Sequence, residues 1–356
     1  MDEEEGQMRR IDHRYLTVLA VAFISLFLSG CRRIHLYDMT TEVNLEFRMN
    51  LDIDMDLDLS VETELDAEYA AKVHGKKPEY VEVLFYDMED HHLVKSQIMP
   101  AEGGQVEVPS GNYNMVVYGF GTESTQISNT DNRLKVEAFT SDITKTMAGK
   151  LKAAMAVIDT LTKSETRGYE DDPIIHEPDH LYVATEEGIH VPAFYEEDQS
   201  IHIHTIASSI IEVYSLEVLN IKGAGNIEKV EAFITGQIKS NYFGRSQTSD
   251  EPATLYTDMR VDVTNERLYS IFGTFGKLTG EDNHIYLDIM VTNSDGGQYR
   301  YIFDVTDQFD DPANDSNTLV IDAGDMIEIP DAAHGGGGFA PSVGEWENEK
   351  IDLPLG

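Results

Sequence analysis

The sequence predicts a mainly all-β protein: two tandem β-sandwich domains, with one helix at the end of the first. Three observations predict it. A strict apolar/polar alternation runs through residues 41–62, short apolar runs bounded by Gly, Pro, Asn and Asp recur down the rest of the chain, and a single stretch, 144–163, spaces its apolar residues as a helix does. Alternation with period two puts one row of side chains on a core and the other in water, the signature of a half-buried strand. Many short strands separated by turn signals suit sandwiches. At 356 residues, the chain fits two domains of roughly 150 residues each.

The chain opens on a targeting segment. Arg9, Arg10 and Arg14 precede an apolar run at 15–28, and Leu28-Ser29-Gly30-Cys31 closes it. A positive region, a short apolar core and small residues before a cut form a secretory signal. The run is too short to span the roughly 30 Å hydrocarbon core of a bilayer. The four closing residues resemble a bacterial lipobox, which implies that residues 1–30 are removed and that Cys31 is acylated as the first mature residue. Cys31 is the sole cysteine, so no disulfide forms and stability rests on apolar cores. The 65 acidic and 26 basic residues give a net charge of −39, which repels phosphates and anionic membrane surfaces. Nucleic-acid binding is excluded on that ground, and the link to a membrane is the lipid alone.

From Val43 to Val61 every odd position is apolar, and Asp52, Asp54, Asp56 and Asp58 fall on the even ones. Nineteen residues at about 3.3 Å each are too long for one straight strand, so a break is expected near Asn50. The aspartates lack the Gly and Glu of a calcium loop; as a charged strand face they discourage edge-to-edge pairing. Residues 80–86 and 92–99 read as a hairpin across 87–91. Residues 105–108, the turn Pro109-Ser110-Gly111 and residues 112–118 read as a second, tight hairpin. A strand at 133–139 precedes the helix at 144–163, on which Met147, Leu151, Ala154, Met155, Ile158 and Leu161 share one face.

The N-terminal domain thus covers 31–163, a polar linker with two prolines covers 164–179, and the C-terminal domain covers 180–332. In the latter, strands are expected at 181–184, 201–205, 210–221, 227–238, 259–263, 284–292, 298–303, 318–321 and 326–329. Residues 222–226 (KGAGN) form the turn between 210–221 and 227–238. Residues 293–297 (NSDGG) form a hairpin turn, with Asp-Gly-Gly able to take positive φ. The remainder, 333–356, is a glycine-rich flexible segment followed by a short C-terminal strand.

Nothing in this pattern argues for catalysis or a cofactor. His202 and His204 share a strand face, but the sequence marks no third ligand for zinc. His91-His92 falls in a turn, so both pairs read as surface histidines and no metal site is expected. Nucleophile-elbow, metalloprotease and phosphate-loop motifs are missing. A ligand-binding surface for glycan or host protein is the alternative, with Tyr242-Phe243, Tyr269 and Tyr299-Tyr301 as its aromatic candidates.

Three stretches carry a resemblance. Residues 106–117 (VEVPSGNYNMVV) resemble the strand–turn–Tyr segment of transthyretin-like sandwiches. Residues 212–236 with 276–280 and 303–308, and the tail 335–355, resemble the fimbrillin superfamily of type V pili, in particular the lipoproteins akin to its minor and anchor subunits. The resemblance implies two tandem transthyretin-like sandwiches on the outer membrane, lipid-anchored at the cell surface. It implies other fimbrial subunits as partners, with a C-terminal strand of one subunit filling a groove in the next after proteolysis at an arginine removes the first strand. On this chain the first strand would be 43–59, the cleavage site Arg48, and the donor strand residues 346–355, anchored by Trp346, Ile351, Leu353 and Leu355. An uncut chain would be an anchor.

Overall fold

The computed structural model describes residues 40–50, 69, 72–73, 75–120, 122, 124–143, 171–192, 201–280, 283–311, 314, 317–324 and 326–330. The lipobox with Cys31, the helix expected at 144–163, the alternating row beyond Asn50 and the tail with Trp346, Ile351, Leu353 and Leu355 lie outside them. The described chain is all-β, and its helix is limited to short turns such as α1 (Thr306–Asp310).

The first ten strands are β1 (Thr40–Asn50), β2 (Tyr80–Asp87), β3 (Leu93–Pro100), β4 (Gly103–Pro109), β5 (Gly111–Phe120), β6 (Thr125–Ser128), β7 (Glu137–Thr140), β8 (Ile174–His176), β9 (Tyr182–Val191) and β10 (Ile201–Ser209). Seven of them form one sheet in the order β3-β2-β5-β9-β10-β1-β4. Only Ser208↔Val183 and Ser209↔Tyr182 join β10 to β9. The sheet parts beyond that point and folds on itself, so β3-β2-β5-β9 faces β10-β1-β4. Val81, Phe85, Met115 and Val117 from one layer pack with Val43, Val106, Val108 and Ala207 from the other.

Strands β2 and β5 are buried on both faces, which is why YVEVLFYD and NYNMVVY read as nearly unbroken apolar runs. Their second row, Leu84, Tyr86, Val116 and Tyr118, packs on Val136, Ala138, Ile238, Phe243 and Phe275.

The second ten strands are β11 (Glu212–Leu219), β12 (Ile227–Ile238), β13 (Ser240–Tyr242), β14 (Gln247–Thr248), β15 (Pro252–Asp258), β16 (Arg260–Asp262), β17 (Arg267–Thr274), β18 (Tyr286–Asn293), β19 (Gln298–Asp304) and β20 (Thr318–Asp322). A sheet β16-β17-β11-β20 packs on a sheet β19-β18-β12-β15-β8 across a core that includes Leu216, Val218, Ile234, Leu255, Phe272, Leu287 and Ile289. The expected hairpin at 293–297 joins β18 to β19, with Gly296 at φ 78°.

Three expectations are corrected by the pairing. Pro109-Ser110-Gly111 does not close a hairpin: β4 pairs with β1, and β5 with β2 and β9. The turn instead carries the chain across the core, with Tyr113 Oη donating to Pro109 O at 3.0 Å. Residues 222–226 do form the expected turn between β11 and β12, and it too passes from one sheet to the other. A turn signal specifies a reversal of direction and leaves the partner open. Strands β9 and β10, expected in the second domain, complete the first sheet, and β8 inside the expected linker pairs in parallel with β15. The two halves also share a small sheet, β14-β13-β7-β6, in which Ser240 pairs with Phe139 and Asn241 with Ala138.

Candidate assembly site

The feature that stands apart from ordinary sandwich architecture is the setting of β1. It is the middle strand of its layer. On one side it runs parallel to β10, from Val43↔Ile201 to Asn50↔Ser208. On the other it runs antiparallel to β4, from Thr40↔Pro109 to Glu46↔Gly103. Val43 is fully buried in the core. Neighbouring strands lie about 4.8 Å apart, so β10 and β4 stand roughly 10 Å apart across β1, a slot one strand wide. Because β9 holds only the last two residues of β10, β1 supplies nearly all of the lateral hydrogen bonding of β10.

Arg48 lies in this strand, in register with Ile206 of β10. The β4 ladder ends at Glu46, so the main chain around Arg48 is held from one side. His202 and His204 project outward from β10 and are exposed. In the other histidine pair, His92 Nδ1 bonds the Asp90 carboxylate; this bond holds the His92 imidazole above its usual value and the Asp90 carboxyl below its own. Asp87, Asp90 and His92 lie close together in that turn, and Asp87 Oδ1 accepts from the Glu89 amide at 2.8 Å, so these groups serve the turn itself.

The aromatic candidates do not make a shared surface. Phe243 is buried at 1 % exposure, Tyr269 packs edge-on to Tyr69 at 5.8 Å, and Tyr299 and Tyr301 pack against the second core. Sequence reasoning missed the segment that carries Tyr69. Tyr69 and Val73 pack on Val213 and Ile271, on the outer side of the β11–β17 pair; the Arg260 guanidinium lies 3.9 Å from the centre of the Tyr69 ring. Lys72 Nζ reaches the Glu177 carboxylate at 2.8 Å. No periodicity marks this segment, and no signal would have found it. Among the described residues no helix is long and apolar enough to cross a membrane.

This is an all-β protein of two interlocked sandwiches whose first strand sits as a centre strand between chain segments far away in sequence. The chain belongs to the family described as Domain of unknown function (DUF5119), whose model matches residues 59–258. A 65-residue stretch is 34 % identical to the "Putative fimbrium anchoring subunit" of Bacteroides ovatus, a match that spans 18 % of this chain and 20 % of that relative. Among solved structures, "a putative adhesin" from Bacteroides ovatus superposes with a TM-score of 0.52 at 19 % identity, covering 83 % of this chain and 97 % of that one. The fimbrial anchor protein Mfa2 from Porphyromonas gingivalis gives 0.43 at 13 % identity, covering 79 % and 89 %.

Proposed function

We propose that this chain is a cell-surface lipoprotein that serves as an anchor or minor subunit of a fimbrium, held to the outer membrane through acylated Cys31 and joined to other subunits by strand addition. The observation that carries this reading is the centre position of β1, paired on both sides yet contributed by the N-terminal end of the described chain. A strand so placed forms a slot whose removal would expose two ladders of main-chain donors and acceptors, the surface that β-augmentation uses. The short match to a fimbrium anchoring subunit supports the same class. Arg48 is held by β10 on one side, a pairing that cleavage would have to break, which favours an uncut chain, hence the anchor role. Trp346, Ile351, Leu353 and Leu355 are the side chains through which the tail would fill the slot of a neighbour.

The test is the mass of the N-terminal peptide of the protein taken from its native cell surface. An acylated Cys31 on an intact chain is the expected result. A chain that begins at Met49 would make it a shaft or tip subunit, and an unlipidated, uncut chain would overturn both versions.

A further inference from the structure

A cavity of about 910 Å³ opens where the two sandwiches meet the segment around Tyr69. Its volume lies at the upper end of the range of roughly 300–1,000 Å³ that encloses small ligands, and junctions between domains are where such sites occur. The nearest strand edge is already taken: outside β8, Ile143 N donates to Ile174 O at 2.8 Å and Asp142 bridges to Ile175. An extended peptide therefore finds no ladder to join, and recognition falls to side chains.

Three carboxylates of the lining are committed to protein donors. Glu177 holds Lys72 and accepts from Thr257 Oγ1 at 2.9 Å, Asp179 accepts from the Ser124 amide at 2.5 Å, and Asp258 accepts from Tyr256 Oη at 2.8 Å. At the mouth, the side chains of Lys76, Glu79 and Tyr80 make no hydrogen bond or ion pair among the described residues. Tyr80 is 49 % exposed, and the exposed His176 ring meets Tyr256 edge-on at 6.2 Å. This rim offers a cationic donor, an anionic acceptor, a phenol and an imidazole beside aromatic faces.

Charge narrows the ligand further. The field of a chain with net charge −39 disfavours anions. The lining sets Lys72, Lys76, Lys77 and Arg260 against Glu79, Glu177, Asp179 and Asp258, with Lys72 and Lys77 already ion-paired, a balance that selects for no charge. What remains is a neutral molecule whose groups both donate and accept and which has an apolar face for an aromatic ring. We infer that this cleft binds a neutral saccharide, with a sugar ring on Tyr80 and hydroxyls on Lys76, Glu79 and His176. The site is independent of the β1 slot, so the two readings stand or fall separately.

The experiment is a printed array of neutral, sialylated and uronate-containing oligosaccharides probed with the full chain in detergent, followed by calorimetry on the best binder. The expected result is binding of at least one neutral oligosaccharide, weakened tenfold or more in Tyr80→Ala and in His176→Ala, and unchanged between 50 and 300 mM salt. Circular dichroism melting keeps loss of binding separate from loss of fold, and neither exposed substitution should shift the melt. Binding confined to the acidic sugars and falling with salt, binding that survives both substitutions, or no saccharide bound above background would each overturn the inference.

Discussion

The side-chain amide of Gln308 pairs with the main chain of Val320 in both directions. Its Nε2 donates to Val320 O at 2.9 Å, and Val320 N donates to its Oε1 at 2.8 Å. Strand β20 lies at the edge of its sheet, and Val320 is 42 % exposed. An exposed edge with unmet donors and acceptors recruits other strands. Gln308, held on α1, therefore acts as a one-residue substitute for a neighbouring strand. Gln308→Ala should lower unfolding free energy by about 1–2 kcal/mol, the net worth of two such bonds. It should also bring concentration-dependent association in sedimentation velocity. A variant as stable and as monodisperse as the parent would show that the edge needs no cover.

Asp288 of β18 is fully buried and meets Arg300 of β19 through two bonds, Nε–Oδ1 at 2.8 Å and Nη2–Oδ2 at 2.5 Å. Burial pushes the Asp288 carboxyl up, and the guanidinium works against that push. Arg300→Met removes the partner and leaves a buried charge, which costs about 3–5 kcal/mol. With the folded carboxyl raised, that variant should be most stable below the unfolded value near pH 3.9 and should weaken as pH rises through the folded one. Chemical denaturation of Arg300→Met across pH 3–8 reads this directly; a flat profile would contradict it. Replacing Asp288 with Leu in the same chain should recover most of the loss.

The two halves meet closely at Gly244. A Cβ there would run into Arg133 O and Val136 Cγ1, beside the shared sheet that joins β7 to β13. Gly244→Ala should therefore cost roughly 1–3 kcal/mol, as overpacking does, visible as a lower melting temperature. Gly188→Ala, with nothing within 4 Å but φ +70°, should lose only the smaller backbone contribution of about 1 kcal/mol. Equal losses would mean that the close approach at Gly244 is relieved elsewhere.

His92 should titrate above 6.5 when followed by NMR, because its bond to Asp90 favours the charged ring. The sign follows: the stabilisation of this turn is present below the unfolded pKa of the ring and is lost as pH rises through the folded one. Asp90→Asn should return the midpoint toward the ordinary value, and an unchanged midpoint would assign the shift to another cause.

The strands were legible where burial is one-sided or where turn chemistry is strong. Val43 and its alternating neighbours, and the Asn293–Gly297 turn, announce themselves because period and positive φ are local properties. The hairpins across 87–91 and 293–297 were legible as pairs, but pairing around Pro109-Ser110-Gly111 was not, because that turn carries the chain equally well within a layer or across a core. Strand β17, with Leu268, Ser270, Ile271 and Phe272 all buried, shows no alternation at all. Strand β15 opens on Pro252, a residue that normally argues against a strand. The cleft was invisible because Tyr69 and Tyr80 come from one stretch of chain and His176 from another far along the sequence.

The position of β1 also fixes an order of folding. Its register joins Val43 to Ile201, so the strand made early waits for a partner made more than 150 residues later. Contacts of such long range close slowly, after local ones have formed. During synthesis the N-terminal strand can pair with β4 on one side but stays open on the other until residues 201–209 have followed it. The strand of this layer that is made first is closed on both sides only when the one made last arrives.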